Sequence, residues 1–358
     1  LVGNSTLSKS GVGTLSLSGN NTYSGSTTIS GGTLQLSGAG KLGGGSYAAS
    51  ITNNGLLQYS SSATQSLSGI ISGTGGLTKD TATSTLTLSA NNSYTGATVL
   101  QTGTVLLGSS TALGVTPMLT LGDNAVLDLQ GNSITVGGIS SSYATSIIKT
   151  TGANATLTLN NTQGNSYQYA GALKDGTGGV LSLIKNDAQT LTLSGTNTYG
   201  GSTTLNGGTV TLTLTLSNTS TLDLGGNSMT LLGLTSSDSY SSIRSDVVAT
   251  LSVNISSNYR FDGQLLGLLS LTKLGSGTLS LGAVNVTGDP GASTNFNGTV
   301  TIQAGTLKLL TSTAWSNGYY GNNPGVILSG SGVLDLNGMS ITMDSLNSSS
   351  ASASVMSS

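Results

Sequence analysis

A segment of about 22 residues recurs four times in this chain, and nothing else constrains its fold as strongly. The first copy is Leu15 to Leu36, LSLSGNNTYSGSTTISGGTLQL, and the second is Leu86 to Leu107, LTLSANNSYTGATVLQTGTVLL. They align without a gap. A third copy, LTLSGTNTYGGSTTLNGGTVTL, occupies Leu191 to Leu212, and a fourth runs from Leu279 to Leu309 with about nine residues inserted ahead of Phe296. One aromatic column then reads Tyr23, Tyr94, Tyr199 and Phe296, followed two residues later by Gly25, Gly96, Gly201 and Gly298. Next comes an aliphatic column of Ile29, Leu100, Leu205 and Ile302, and then a GTLxL-like strand in every copy. Apolar residues at alternate positions, punctuated by glycine, read as short strands with one buried face and tight corners.

Such a strand cannot bury its apolar face alone. Stacked in register, successive copies line up Leu, Ile and Val into interior columns, each buried side chain contributing about 1.5–3 kcal/mol. The expected fold is all-β, a parallel β-helix or β-solenoid. With about 20 residues per coil and about 4.8 Å per layer, the chain would form an elongated rod of roughly 80 Å. An antiparallel sandwich is the competing architecture, but it does not require one register to recur along so much of the chain. Composition agrees: Thr, Ser, Val, Gly and Asn dominate, with 54 glycines, and these favour strands and turns over helix.

Other columns organise the modules. A lysine precedes each copy, at Lys9, Lys79, Lys185 and Lys273, and we read it as a solvated outward residue that discourages sheet association, with a binding stripe as the alternative. An LDL motif recurs as Leu127 to Thr135, Leu222 to Thr230 and Leu334 to Thr342, with a looser form at Gly55 to Tyr59. Its column Leu57, Leu127, Leu222, Leu334 advances by 70, 95 and 112 residues, so modules differ in length by insertion. The chain is thus read as one continuous solenoid of imperfect modules, approximately 1–56, 57–126, 127–221, 222–333 and a partial 334–358.

The absent residue types exclude much chemistry. There is no His, Cys or Glu, which removes Ser-His-Asp and Cys-His nucleophiles, ordinary zinc sites and disulfides. We expect no catalytic, cofactor-binding or metal-binding residues. The 12 Asp are dispersed; Asp128, Asp223 and Asp335 share the LDL column, where alternation between inward leucines turns them outward as a solvated stripe rather than a calcium ladder. A net charge of -2 offers no basic surface for nucleic acid, and no apolar run approaches the length of a membrane span. Leu1 opens inside a strand-like pattern with no basic or apolar leader, so any export signal is expected outside these residues. One segment departs from the repeats: TAWSNGYYGNNPG, Thr313 to Gly325, which brings Trp315, Tyr319 and Tyr320 together as a contact patch for sugars or a neighbouring chain, or as packing of an enlarged corner.

The lysine column, GTLTLSG-like strand, NTYSG corner, TTI strand and GTLxL strand together resemble the autotransporter-associated β-strand repeat, in four cycles covering most of the chain. The resemblance implies a right-handed parallel β-helix belonging to a secreted bacterial passenger or large surface adhesin. It supplies no catalytic residues. The expected function is a noncatalytic extracellular rod at the bacterial surface, structural or adhesive, whose partner is a host or neighbouring-cell surface, a glycan, or copies of itself. A head-to-tail filament subunit is the alternative, and a polysaccharide-acting enzyme a more distant one.

Overall fold

The computed structural model describes residues 1–115, 118–207, 209–216, 221–237, 239–282, 298–311 and 324–358. Among these, the regular elements are β-strands and one three-residue 3-10 turn at Gly43–Gly45. Among the described residues the pairings between strands are parallel, and a strand within a ladder bonds to one a coil earlier and one a coil later. This is a parallel β-solenoid of about 15 turns, and the parallel pairing removes the antiparallel sandwich. Backbone contacts group the coils into two compact units, Leu1–Ser182 and Leu183–Ser358.

In the first unit, Leu7–Lys9, Thr27–Ile29, Ile51–Asn53 and Ile71–Ser72 form one ladder. A second ladder gathers the GTLxL-type strands. Its register sets Leu15 against Leu34, Leu34 against Leu57, and Leu57 against Leu77. A further column runs through Leu86, Val105, Leu127, Ile148 and Leu173, all buried. Alternation explains why. In Leu56–Ser61 the burial alternates residue by residue, with Leu57, Tyr59 and Ser61 inside. Burying aliphatic columns supplies the main driving force, since no single strand could shield its own apolar face.

The second unit repeats the plan. Leu251, Leu271, Val300 and Val326 form one column, and Leu279, Leu307 and Leu334 another. One register differs between modules. Leu127 and Leu334 each stack on the leucine or valine of a GTLxL strand, whereas Leu222 stacks on Thr203 of the preceding TTL strand.

The 22-residue repeat is not a coil but the join between two. Leu15 and Leu17 at the start of the first copy lie directly beneath Leu34 and Leu36 at its end, and the same holds for Leu86 with Val105, Leu191 with Val210 and Leu279 with Leu307. Each copy therefore closes one full turn onto its neighbour. The fourth does so despite its insertion, because parallel pairing demands only that the strands meet, whatever the loop between them.

Candidate functional site

The aromatic column points inward. Tyr23, Tyr94 and Tyr199 are buried, and each hydroxyl pairs with the Thr four residues on: Thr27 at 2.8 Å, Thr98 at 2.8 Å and Thr203 at 2.7 Å. These threonines open the TTI-type strand, so a single bond ties corner to strand inside every such turn. A buried hydroxyl needs that partner, because leaving it unpaired costs about 1–3 kcal/mol. Burial pushes the Tyr199 phenol up to about 12, against the opposing bond from Thr203, and raises Tyr23 and Tyr94 further. Phe296 lies outside the described residues. The sequence nevertheless completes the pattern: where the aromatic residue lacks a hydroxyl, position 300 is Val, and Val300 is buried.

Two kinds of glycine follow. Gly25, Gly96 and Gly298 have ordinary backbone angles, but a Cβ on any of them would collide with the backbone of the preceding coil, at Ser5, Gly75 and Leu269. Close approach, not conformation, requires them. Gly32, Gly103 and Gly305 instead carry φ of 65°, 80° and 65°, the left-handed region. Gly201 occupies the aligned corner of the third copy. The aliphatic column of Ile29, Leu100, Leu205 and Ile302 is fully buried.

The lysines reverse the expectation of a solvated stripe. Lys79, Lys185 and Lys273 have no exposed surface, and Lys9 is 6% exposed. Each occupies the position two residues after an inward leucine (Leu7, Leu77, Leu183 or Leu271), so strand parity carries it inside. Each is also the register partner of the aliphatic column one coil on: Lys9 with Ile29, Lys79 with Leu100, Lys185 with Leu205, Lys273 with Ile302. The ammonium is then bound by backbone carbonyls at the corner. Lys9 Nζ donates to Ser10 O at 2.9 Å, Gly11 O at 2.8 Å and Gly31 O at 2.9 Å. Lys273 Nζ donates to Leu274 O at 2.7 Å, Gly275 O at 2.8 Å and Ala304 O at 3.2 Å. In each set the third carbonyl belongs to the next coil. Lys185 adds a carboxylate, Asp187 Oδ1 at 2.8 Å, with both side chains buried. Lys79 donates to Thr81 O and sits 5.6 Å from the Tyr59 ring centroid, within cation–π range. Burial pushes Lys79 and Lys273 down to about 8. The four are structural cations, and none presents a nucleophile to solvent.

The LDL aspartates face outward, yet two are not solvated. Asp128 and Asp335 are 3% and 4% exposed because the following turn and the adjacent coil fold over them. Asp128 accepts from Gln130 N, Thr151 N and Thr151 Oγ1. Asp335 accepts from Asn337 N and from Ser358 N and Oγ, and Lys308 stands 3.2 Å away. Burial alone would raise its pKa; those bonds prevail and hold it at about 2. Asp223 pairs with Arg244 across the ladder at 2.9 Å, both partly exposed. Among the described residues no cluster of three metal-ligating acidic, His or Cys side chains occurs. Trp315, Tyr319 and Tyr320 lie outside the described residues.

A concavity unmarked by any motif lies on the outer surface of the first unit. It is a groove of about 400 Å³. Its floor is the outward ladder Val99, Thr120 and Ser140, adjoining residues in direct register. Gln101, Gln168 and the exposed Tyr143 line it, and none of its lining residues is charged.

Corners, columns and coil pairing define a class: a parallel β-solenoid whose recurring segment joins one coil to the next. Its repeats belong to the passenger-associated-transport-repeat family, whose model matches residues 7–36, 83–107, 183–212 and 271–309. Each match runs from a lysine-bearing or GTL strand of one coil to the GTLxL strand of the next. Over 338 residues, 87% of this chain, the sequence is 33% identical to the adhesin BmaC autotransporter of Brucella suis biovar 1 (strain 1330). The chain spans 9% of that protein's length. It is also 40% identical over 68 residues, 19% of the chain and 5% of the relative, to the uncharacterized protein YuaQ of Escherichia coli (strain K12). No solved structure matches the chain. The chain is thus a parallel β-solenoid that carries four passenger-associated-transport repeats and is similar to part of an autotransporter adhesin.

Proposed function

We propose that this segment is a noncatalytic adhesive scaffold, exported to the bacterial surface and holding binding features on a stack of coils. The observation that carries this reading is the likeness to an autotransporter adhesin along 87% of the chain. The chemistry agrees. The chain has no His, Cys or Glu, its four repeat-column lysines are locked inside corners, and its LDL aspartates are engaged in turns and ion pairs. The modules 1–56, 57–126, 127–221, 222–333 and 334–358 are our proposed units of variation within one solenoid.

The test is attachment. Cells carrying the parent protein with residues 1–358 removed in frame should lose adherence to host-cell monolayers or to one another while the protein still reaches the surface. Unchanged attachment at equal surface level defeats the adhesive reading. Turnover of a polysaccharide by the purified chain, lost on replacing one Asp, defeats the noncatalytic one.

A further inference from the structure

We infer that the groove on the first unit is a binding site for a neutral glycan. This deepens the adhesive reading above and rests on it. Four observations converge. First, the lining holds no charged side chain, so it has nothing with which to recognise a phosphate, a sulfate, an acidic sugar or a basic peptide. Second, Gln101 and Gln168 bring amides that both donate and accept, and Thr120, Ser140 and Ser142 bring hydroxyls. Sugar hydroxyls also do both. Third, Tyr143 is 48% exposed in a chain whose repeat tyrosines are buried, and it lines this groove. An exposed phenol ring offers an apolar face for the C–H face of a pyranose and a hydroxyl at its edge. Fourth, the volume of about 400 Å³ falls in the range of small-ligand sites, about 300–1,000 Å³.

The site is built and held in place. Tyr143 sits on a turn pinned at both sides: its N–H donates to Ser141 Oγ at 3.0 Å, its carbonyl accepts from Ser146 Oγ at 2.8 Å, and Ser146 Oγ reaches Ser141 Oγ at 2.8 Å. Fixing the turn that carries the ring before a ligand arrives lowers the ordering cost of binding. Gly122 keeps the floor low, because a Cβ there would overlap the Gln101 backbone. A peptide binding as an added strand is disfavoured. The groove lies on the face of a ladder whose strand Leu119–Leu121 already pairs on both sides, and Ser141 at its far margin is bridged to Tyr169, so no open edge is offered there.

The purified chain tests this directly by saturation-transfer NMR with lactose, maltotriose, cellotriose and chitotriose, with sialyllactose as the charged control. At least one neutral probe should bind. Tyr143→Ala should weaken that binding about tenfold, the loss of one aromatic stacking contact, and Tyr143→Phe should retain it to within about threefold. Gln101→Ala should weaken it too, and Tyr240→Ala, an exposed tyrosine in the second unit, should not. Absence of binding by every neutral probe, preference for sialyllactose over its neutral parent, or binding unchanged in both Tyr143→Ala and Gln101→Ala overturns the proposal. The two readings fail separately: attachment without neutral-saccharide binding removes the groove alone, and saccharide binding without any attachment phenotype removes the adhesive role alone.

Discussion

Lys273 lies two residues after Leu271, whereas Asp223 lies one residue after Leu222, and that single step of strand parity places them in opposite surroundings. The lysine enters the core with its carbon chain in an aliphatic column and its ammonium held by three corner carbonyls. The aspartate stays on the outer face, within reach of Arg244 and water. Both are charges in recurring columns, yet only the first is part of how one coil attaches to the next. A buried ammonium is tolerable when it replaces water with fixed dipoles, and the corners, rich in turns, expose carbonyls that strand pairing leaves unused.

The largest effect should come from deleting that attachment. Lys273→Ala removes the stem and leaves three carbonyls without their donor, so we expect a loss above about 3 kcal/mol in denaturant unfolding. Lys273→Met, which keeps the stem, should fall between this variant and the parent. A cost below about 1 kcal/mol for Lys273→Ala would place the lysine with the surface charges after all.

Alkaline pH sharpens the contrast next. Lys79 and Lys273 titrate at about 8 in the fold and nearer 10.5 when unfolded. Between those values the unfolded chain binds more protons, so this contribution to stability rises with pH, and below about 8 it is flat. The raised tyrosines act in reverse above about 10, where the unfolded phenols ionise first. Denaturation midpoints should therefore climb from pH 8 to 10, and the climb should shrink in the double variant Lys79→Met/Lys273→Met. An unaltered slope would show that these amines do not govern it.

A smaller effect, about 1–2 kcal/mol, is expected for Tyr94→Phe and for Thr98→Val singly, since each removes the buried Tyr94–Thr98 hydrogen bond. The double variant should cost less than the sum, giving a coupling of about 0.5 kcal/mol or more in a double-mutant cycle. Strict additivity would argue that the bond seen inside the corner contributes nothing. Smallest of all should be Asp223→Ala, within about 1 kcal/mol and diminishing with salt, as for other exposed pairs.

How far the sequence could be read follows from the same parity. Columns of Ile29, Leu100, Leu205 and Ile302 were legible because identical spacing in four copies implies identical surroundings. The lysines were equally legible in principle: Leu-x-Lys repeats the inward step four times, and only the weight given to charge turned Lys9, Lys79, Lys185 and Lys273 outward. For the aspartates, alternation told the face but not the cover that Thr151 and Ser358 provide from the following coil. The groove is not legible in the sequence for a different reason. Gln101, Tyr143 and Gln168 share no motif, and their adjacency depends on coil lengths that the chain settles only by stacking.

The matched residues at the corners bear on how such a repeat changes over time. Tyr23 faces Thr27, Tyr94 faces Thr98, Tyr199 faces Thr203, and the fourth copy has Phe296 with Val300. A Tyr–Thr pair bonds its two hydroxyls to each other, and the Phe–Val pair carries no hydroxyl at all. Shuffling a corner from one copy into another should therefore cost least when the strand that follows travels with it, since the two positions change together in the fourth copy.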